Sequence, residues 1–328
     1  MVAIGTLFAS CAFGETSPST GLPYPTERTG GYQPILVSMD NNYAAQVPNG
    51  LSIADVVYEY IYYGRDSTRF LALFNDAYPE AVGPVATTRY FGADVQQEWD
   101  APFVYYGGLV TTAEGETVVD VQTYLEAMGV SESLRFEAKQ DAGDLFWREV
   151  SMNPPRNVMV NLHALANDYW PVDGELDTPH DPSPPVWIWD KGSSQSTAEP
   201  ITSISIEYEI HGYKLSYEYD AENQAYQRQH NGAPVIDPLT KEAVAASNVI
   251  VQYMEILYQD DKVSNPQITA TGRGKADVFI HGSHISGYWV REGLEAKTRY
   301  YNEAGGELSF APGQTFIQIL PEDGKITY

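Results

Sequence analysis

The chain has 328 residues, with 44 acidic side chains against 19 basic ones and a net charge of −25. This length suffices for two ordinary domains, and an apolar fraction of 43% is typical of a folded protein rather than a disordered one. The negative charge repels phosphate backbones and argues against nucleic acid as a partner. The single cysteine, Cys11, excludes internal disulfides and Cys-based zinc sites.

The N-terminus has the pattern of a bacterial lipoprotein signal. Residues 2–8 form a short apolar run, and the stretch from Leu7 to Cys11 resembles a lipobox, in which the cysteine is lipidated after cleavage. We therefore predict a signal peptide and lipobox over residues 1–11 and lipidation at Cys11; the alternative is an apolar N-terminus with a chance cysteine. Residues 12–32, rich in Ser, Thr, Pro and Gly, are predicted to form a flexible tether. No later run has the roughly 18 apolar residues of a membrane span, so attachment by the lipid alone is expected.

The first half of the chain predicts a mixed α/β domain over residues 33–172. In chain order, the apolar patterns predict a strand at 34–39, a hairpin of strands 53–63 and 68–75 around loop 64–67, a helix at 87–99, a strand at 102–106, and helices at 112–128 and 161–170.

The second half predicts mostly antiparallel β-structure. Residues 173–200 are rich in Pro, Asp and Ser and are interpreted as a linker, which leaves a C-terminal β-rich domain over residues 201–328. Strands are predicted at 203–210 and 213–219 around a two-residue His211-Gly212 turn, and then at 249–258, 267–271, 276–280, 285–290 and 316–320. The whole chain is therefore predicted to be α+β.

Charged side chains inside apolar strands mark the candidate site. Glu59 and Arg69 stand in the two hairpin strands, and Thr68 opens the second. With residues 64–67 as the loop, Glu59 is predicted to lie opposite Ala72, with Glu59 and Arg69 on different faces. A slip of one residue would change which face they share. The charges either face a cleft or form a buried pair that fixes the fold.

The choice of cation suggests anion recognition. No lysine precedes residue 139, whereas Arg69, Arg89 and Arg148 are available. Arginine is preferred where a planar fork grips a carboxylate or phosphate, although arginine also stabilises neighbouring acids.

Two further motifs carry the same ambiguity. Asp40-Asn41 follows a strand, where ligands often bind, but this pair also makes ordinary turns. Gly107-Gly108 could present backbone N–H groups to an anion or could form a tight turn.

Together these residues resemble the YerB-like family of bacterial lipoproteins, whose two domains carry only domain-of-unknown-function names. The resemblance covers about residues 33–321. It rests on motifs in both halves: Met39-Asp40-Asn41, Gly50-Leu51, Ala54 to Glu59, Thr68 to Ala72, Val82 to Val85, Arg89, Gly107-Gly108, Phe146-Trp147-Arg148, Asn248 to Val251, Gly272, Gly274, Gly287, Trp289 and Pro312-Gly313-Gln314. The resemblance implies a three-layer ββα sandwich and an extracytoplasmic location. It brings no established activity.

The chain departs from the family pattern at three places. Thr87-Thr88-Arg89 stands where the family has Ser-Ala-Arg, residues 105–109 replace a His-x-Gly-Gly-Ser motif, and Pro155-Arg156-Asn157 replaces Pro-His-Asn. Any mechanism that needs those imidazoles is therefore in doubt for this chain.

These observations predict a lipid-anchored extracytoplasmic protein that binds a ligand or protein partner of the bacterial cell envelope. The ligand-binding candidates are Asp40, Asn41, Glu59, Thr68, Arg69, Arg89, Gly107, Gly108 and Arg148. One alternative is an envelope hydrolase or transferase that uses Glu59 or Asp40 as acid or base, with Arg69 and Arg89 binding an anion. The other alternative is a structural scaffold. No cofactor and no metal are expected, and whether the protein is an enzyme is left open.

Overall fold

The structure is a computed structural model of the chain. It describes residues 16–25, 31–41, 47–63, 67–111, 115, 117–138, 143–170, 172–173, 178–185, 187–190, 201–259 and 265–328. The predicted signal peptide with its lipidation site Cys11 lies outside these residues.

The first half of the described chain contains three helices and nine strands, followed by three two-residue strands. The helices are α1 (Tyr90–Trp99), α2 (Val121–Ala127) and α3 (Leu162–Asp168). The strands are β1 (Ile35–Asn41), β2 (Val56–Tyr63), β3 (Ser67–Phe74), β4 (Phe103–Tyr105), β5 (Leu109–Thr111), β6 (Thr117–Asp120), β7 (Arg135–Glu137), β8 (Phe146–Arg148), β9 (Val158–Val160), β10 (Val172–Asp173), β11 (Thr178–Pro179) and β12 (Ile188–Trp189).

The second half consists of strands joined by turns in the described residues. These strands are β13 (Ser203–Glu207), β14 (Leu215–Asp220), β15 (Ala225–His230), β16 (Ala233–Pro234), β17 (Ala245–Ala246), β18 (Asn248–Met254), β19 (Ile256–Gln259), β20 (Asn265–Ile268), β21 (Gly272–Ile280), β22 (Ser283–Arg291), β23 (Arg299–Asn302), β24 (Ser309–Phe310), β25 (Thr315–Pro321) and β26 (Lys325–Thr327). The chain is therefore mostly β, arranged in several sheets. No helix in the described ranges is long and apolar enough to span a membrane.

A ten-stranded mixed sheet joins the two halves of the chain. Its strand order is β23-β22-β21-β18-β25-β2-β3-β1-β4-β7. The halves meet where β2 pairs in parallel with β25, from Val56 opposite Thr315 to Glu59 opposite Gln318. A second sheet, in the order β16-β15-β14-β13-β26, comes entirely from the second half.

The two faces of the ten-stranded sheet bury different partners. One face contributes Val57 and Phe70 to a core that also contains Ile204 and Tyr217 of the second sheet. The opposite face contributes Tyr58, Leu71 and other residues to a core shared with α1. The α1 residues in this core are Phe91, Val95 and Trp99, spaced four apart and therefore on one side of the helix. Because successive strand side chains alternate, each strand of the hairpin serves both cores.

The N-terminal tether prediction does not hold for residues 16–25. Ser17 and Ser19 are fully buried, and the Ser19 hydroxyl donates to Asp55 at 2.7 Å. The backbone N–H of Gly313 donates to the carbonyl of Thr20 at 2.7 Å. Small polar residues, read as flexible from composition, here satisfy buried polar groups of the sheet ends.

Two predicted local elements are also wrong in part. The helix predicted at 112–128 begins only at Val121, because the β-branched run before it forms β6 and Asp120 caps the helix by accepting from the Thr123 N–H at 3.0 Å. The hairpin predicted around His211-Gly212 has a longer connection, since Ile206 pairs with Leu215. The residues between these two strands form hydrogen bonds with the first half of the chain, as described below.

Candidate functional site

The structure separates the predicted site residues into two groups on opposite faces of the β1–β3 strands. Asp40 lies opposite Arg69, whereas Asn41 lies opposite Thr68. Glu59 lies opposite Phe70 rather than Ala72, a difference of two residues: Tyr63 pairs with Ser67 rather than Thr68, and a bulge between Ile61 and Tyr63 adds the second residue. A shift of two preserves the faces, so Glu59 and Arg69 point to opposite sides, as predicted.

The first group places two guanidinium groups on Asp40, which is only 4% exposed, and a third on the Tyr62 ring beside them. Arg69 forms a salt bridge with one carboxylate oxygen of Asp40, and Arg156 Nε lies 3.0 Å from the other. Arg156 is half-exposed, at 48%, and stands where the resemblance led us to expect histidine. Arginine here holds a fixed positive charge beside Asp40, whereas an imidazole would carry one only when protonated.

Tyr62 connects Arg69 to the third guanidinium, that of Arg89. The two guanidinium carbons lie 4.0 and 4.1 Å from the centroid of the Tyr62 ring. The Tyr62 hydroxyl shares a hydrogen bond with the hydroxyl of Thr87, which also accepts from Arg69 at 3.4 Å. Burial opposes ionisation of Tyr62, but the two arginines outweigh it and lower the pKa of the phenol below its ordinary value.

Arg89 is held immediately before α1. Residues 87–89 were predicted to be helical, but Arg89 has extended backbone angles and α1 starts at Tyr90. The side chain is 6% exposed and donates to the Thr88 carbonyl at 3.0 Å. The first N–H groups of a helix lack intrahelical acceptors and carry partial positive charge, so Arg89 adds to an already positive end.

The polar atoms of this group are incompletely satisfied. Within the described residues, no carboxylate forms a salt bridge with Arg89, and the buried Nε atoms of Arg69 and Arg89 make no hydrogen bond. Buried polar atoms normally have partners, so these two donors, together with Asp40 Oδ2, which also makes no hydrogen bond, point to a ligand or ordered water. We call Asp40, Tyr62, Arg69, Arg89 and Arg156 the arginine cluster.

The second group is a buried ion pair centred on Glu59, which is fully buried. Its Oε2 accepts from Arg228 Nη2 at 2.8 Å. Its Oε1 accepts from three further donors: Asn41 at 2.9 Å, Thr68 at 2.8 Å and Tyr213 at 2.5 Å. Every polar atom of this carboxylate is therefore used by the protein itself, in a buried pair of the kind considered for Glu59, although the partner is Arg228 and not Arg69.

Sequence reasoning missed Arg228 because its partner lies 169 positions away in the chain. Arg228 also donates to the hydroxyls of Tyr213 and Tyr217, at 2.7 and 2.8 Å. A signal was present: Arg228 stands two residues after buried Tyr226 on β15, and therefore at an inward position. Tyr208 and Tyr213, from the long β13–β14 connection, both bond to Glu59 and explain why that connection is not a tight turn.

Arg148 lies outside both groups. It donates to Asn157 at 2.7 Å and to the Tyr106 hydroxyl at 2.9 Å. Asn157 is the neighbour of Arg156, so these contacts support the segment that brings Arg156 to Asp40.

Gly107 and Gly108 form a close turn beside the arginine cluster. Gly107 has a φ of +73°, and its carbonyl accepts from the Thr88 N–H at 3.2 Å. A Cβ on Gly108 would lie 2.7 Å from the Cβ of Val121, so a side chain is excluded there. The turn positions Thr88 and hence Arg89, which favours the turn alternative for these glycines.

Comparison with known proteins identifies the family to which the chain belongs. Residues 19–171 match the N-terminal domain, and residues 204–317 the C-terminal domain, of the protein family of unknown function DUF3048. The two matches together cover most of the chain, which belongs to this family, as the resemblance indicated.

One relative is described both by sequence and by structure. The chain is 27% identical over 313 residues to the "Putative lipoprotein YerB" of Bacillus subtilis, which covers 93% of this chain and 86% of the relative. It is also similar to the crystal structure of YerB from Bacillus subtilis, with a TM-score of 0.75, 25% identity, and coverage of 96% of this chain and all of the other. These similarities identify a fold and a family without an assigned activity.

Proposed function

We propose that this chain is a lipid-anchored extracytoplasmic protein of the bacterial cell envelope that binds an anionic group of its ligand or protein partner at the arginine cluster. The observation that carries the proposal is Arg89, a guanidinium only 6% exposed that no described carboxylate neutralises. A buried charge without a counter-ion is costly, and an anion from a ligand removes that cost.

The charge balance of the cluster supports an anion rather than a cation. The cluster holds three guanidinium groups and one carboxylate, that of Asp40, which pairs with Arg69 and Arg156, in a chain whose net charge is −25. The Nε atoms of Arg69 and Arg89 are available donors, and guanidinium forks match carboxylate and phosphate oxygens. The chemistry recognised is therefore a carboxylate or a phosphate group, and Arg156, at 48% exposed, is the member of the cluster most open to solvent.

The position of Glu59 does not support the hydrolase or transferase alternative. A general acid or base must reach the proton that it transfers, whereas Glu59 is fully buried and accepts hydrogen bonds from four protein groups. The contacts of Glu59 instead favour a scaffolding role for this one residue, because they join the two halves of the chain.

The ββα layering implied by the family resemblance belongs to the proposal as well. It is supported by the two cores, one shared with the second sheet and one with α1, on opposite faces of the ten-stranded sheet.

Anion binding is tested by equilibrium titration of the purified chain with inorganic phosphate and, separately, acetate. We expect saturable binding of at least one anion, and about tenfold to hundredfold weaker binding by Arg89→Gln and Arg69→Gln, since a charge-assisted hydrogen bond contributes about 1.5–3 kcal/mol. Arg273→Gln is the matched control, because Arg273 is exposed and stacks on Tyr288, far along the chain from the cluster. If neither anion binds, or if all three variants bind like the parent chain, the proposed site is wrong.

Anchoring is tested separately in cells. A labelled fatty acid should be incorporated into the parent chain and not into Cys11→Ser. Equal incorporation into both would remove the lipid anchor from the proposal.

A further inference from the structure

A cavity of about 420 Å³ lies at the carboxyl end of α1, at the opposite end of that helix from Arg89. Its wall is assembled from both halves of the chain: Asp100 and Ser131 come from the first half, Lys297 and Glu295 come from the second, and His180 comes from the connection between them. This volume is within the range of small-molecule sites.

The acidic groups of this cavity are only partly neutralised. Asp100 ends α1 with left-handed backbone angles, and its carboxylate lies 3.6 Å from His180 Nε2. Burial is the main cause that raises the pKa of Asp100, and Glu295 adds to the effect although His180 and Lys297 oppose it. The carboxylates of Asp100 and Glu295 thus line the same cavity, which lies at the negative end of the α1 helix dipole.

Lys297 brings one positive charge to this wall, and the end of α1 already engages it. Its ammonium group donates to the carbonyl of Glu98, in the last turn of α1, and burial lowers its pKa although Glu98 and Asp100 act in the opposite sense. His180 is likewise engaged, with Nε2 2.6 Å from the Asp100 carbonyl. Within the described residues Glu295 forms no salt bridge and Asp100 has only that with His180, which leaves these carboxylates able to accept an ammonium group from outside.

The rest of the wall suits hydroxyl groups. Ser131 and Ser133 line the cavity with their hydroxyls 2.9 Å apart, and either can donate or accept. A bare metal ion is not indicated, since the described residues contain no group of three His, Cys, Asp or Glu side chains placed to hold one.

We propose that this cavity binds a small polyhydroxylated amine, with the ligand's ammonium group at Asp100 and Glu295 and its hydroxyls at Ser131 and Ser133. This second site is independent of the arginine cluster, so either proposal can fail without the other.

The test is a pair of NMR titrations of the isotope-labelled chain, with glucosamine and with glucose, which differ only in the ammonium group. With glucosamine we expect saturable shifts at cavity residues such as Gly129 and His180. Glucose should bind at least about fivefold more weakly than glucosamine. Asp100→Asn should weaken glucosamine binding about threefold to tenfold without disturbing the helix end, since Asn tolerates left-handed backbone angles well. Glu295→Gln, an exposed position, provides a second variant that should fold normally.

The control is Glu303→Gln, which removes the same charge from an exposed loop outside the cavity and should leave binding unchanged. Equal affinity for glucosamine and glucose, absence of saturable shifts with either sugar, or equal weakening by Glu303→Gln would each overturn the proposal.

Discussion

The buried Glu59–Arg228 pair allows a quantitative prediction for Glu59→Gln. The substitution keeps the shape of the side chain but removes the charge that Arg228 faces at 2.8 Å, while Arg228 remains 2% exposed. It also places an amide donor or a neutral oxygen where a carboxylate oxygen accepted a charged hydrogen bond. Removing one partner of a buried pair costs about 3–5 kcal/mol, because the other charge stays buried and uncompensated.

Urea unfolding, followed by two spectroscopic probes, measures this cost. With an m-value of about 3 kcal/mol/M, the expected loss moves the midpoint down by about 1–1.7 M. Glu218→Gln, on the exposed face of β14, should change stability by no more than about 0.5 kcal/mol. The double variant Glu59→Gln/Arg228→Met should be more stable than Glu59→Gln alone, because it removes the orphaned charge. A Glu59→Gln chain within about 1 kcal/mol of the parent would refute this account of the pair.

Three further predictions concern other parts of the chain. In a spectrophotometric pH titration, Tyr62→Phe should abolish the first tyrosine ionisation, since the pKa of Tyr62 is lowered against the effect of burial; an unchanged early phase would contradict this assignment. Burial opposes ionisation of Asp277, yet hydrogen bonds led by that from His284 lower its pKa to about 2. Because the folded-state pKa is depressed, the stabilisation is present above about pH 4 and is lost as the pH falls towards 2, so Asp277→Asn should flatten acid unfolding in that range. Gly287→Ala should destabilise by about 1–3 kcal/mol in thermal or urea unfolding, because its Cβ would meet the Tyr301 carbonyl at 1.9 Å, whereas Gly293→Ala, with open space around it, should be nearly neutral.

The local structure of the first half was largely predictable. The β2 and β3 strands, the α1 helix and the face assignment of Glu59 and Arg69 follow from period-two and period-3.6 patterns. Strand register was not predictable, because the bulge between Ile61 and Tyr63 leaves no distinctive residue in the sequence.

The composition of the site was predictable only in part. Arginine usage drew attention to Arg69 and Arg89, which the structure brings together on the Tyr62 ring. The partners that decide the roles of Asp40 and Glu59, namely Arg156 and Arg228, come from distant segments. Such contacts depend on how the sheets pair and stack, which a single sequence does not specify.

The place of β25 within the ten-stranded sheet has a consequence for biogenesis. This strand ends at Pro321, yet it lies between β18 and β2 near the middle of the sheet. During synthesis the N-terminus leaves the ribosome first. The pairing of β2 with β25 and the surroundings of Glu59 therefore cannot form until the last tenth of the polypeptide is available. Until then, β2 presents an apolar, unpaired edge of the kind that associates with other chains. The two halves that carry separate family domains must therefore fold together, and expression of residues 19–171 alone should yield an aggregating fragment rather than a stable domain.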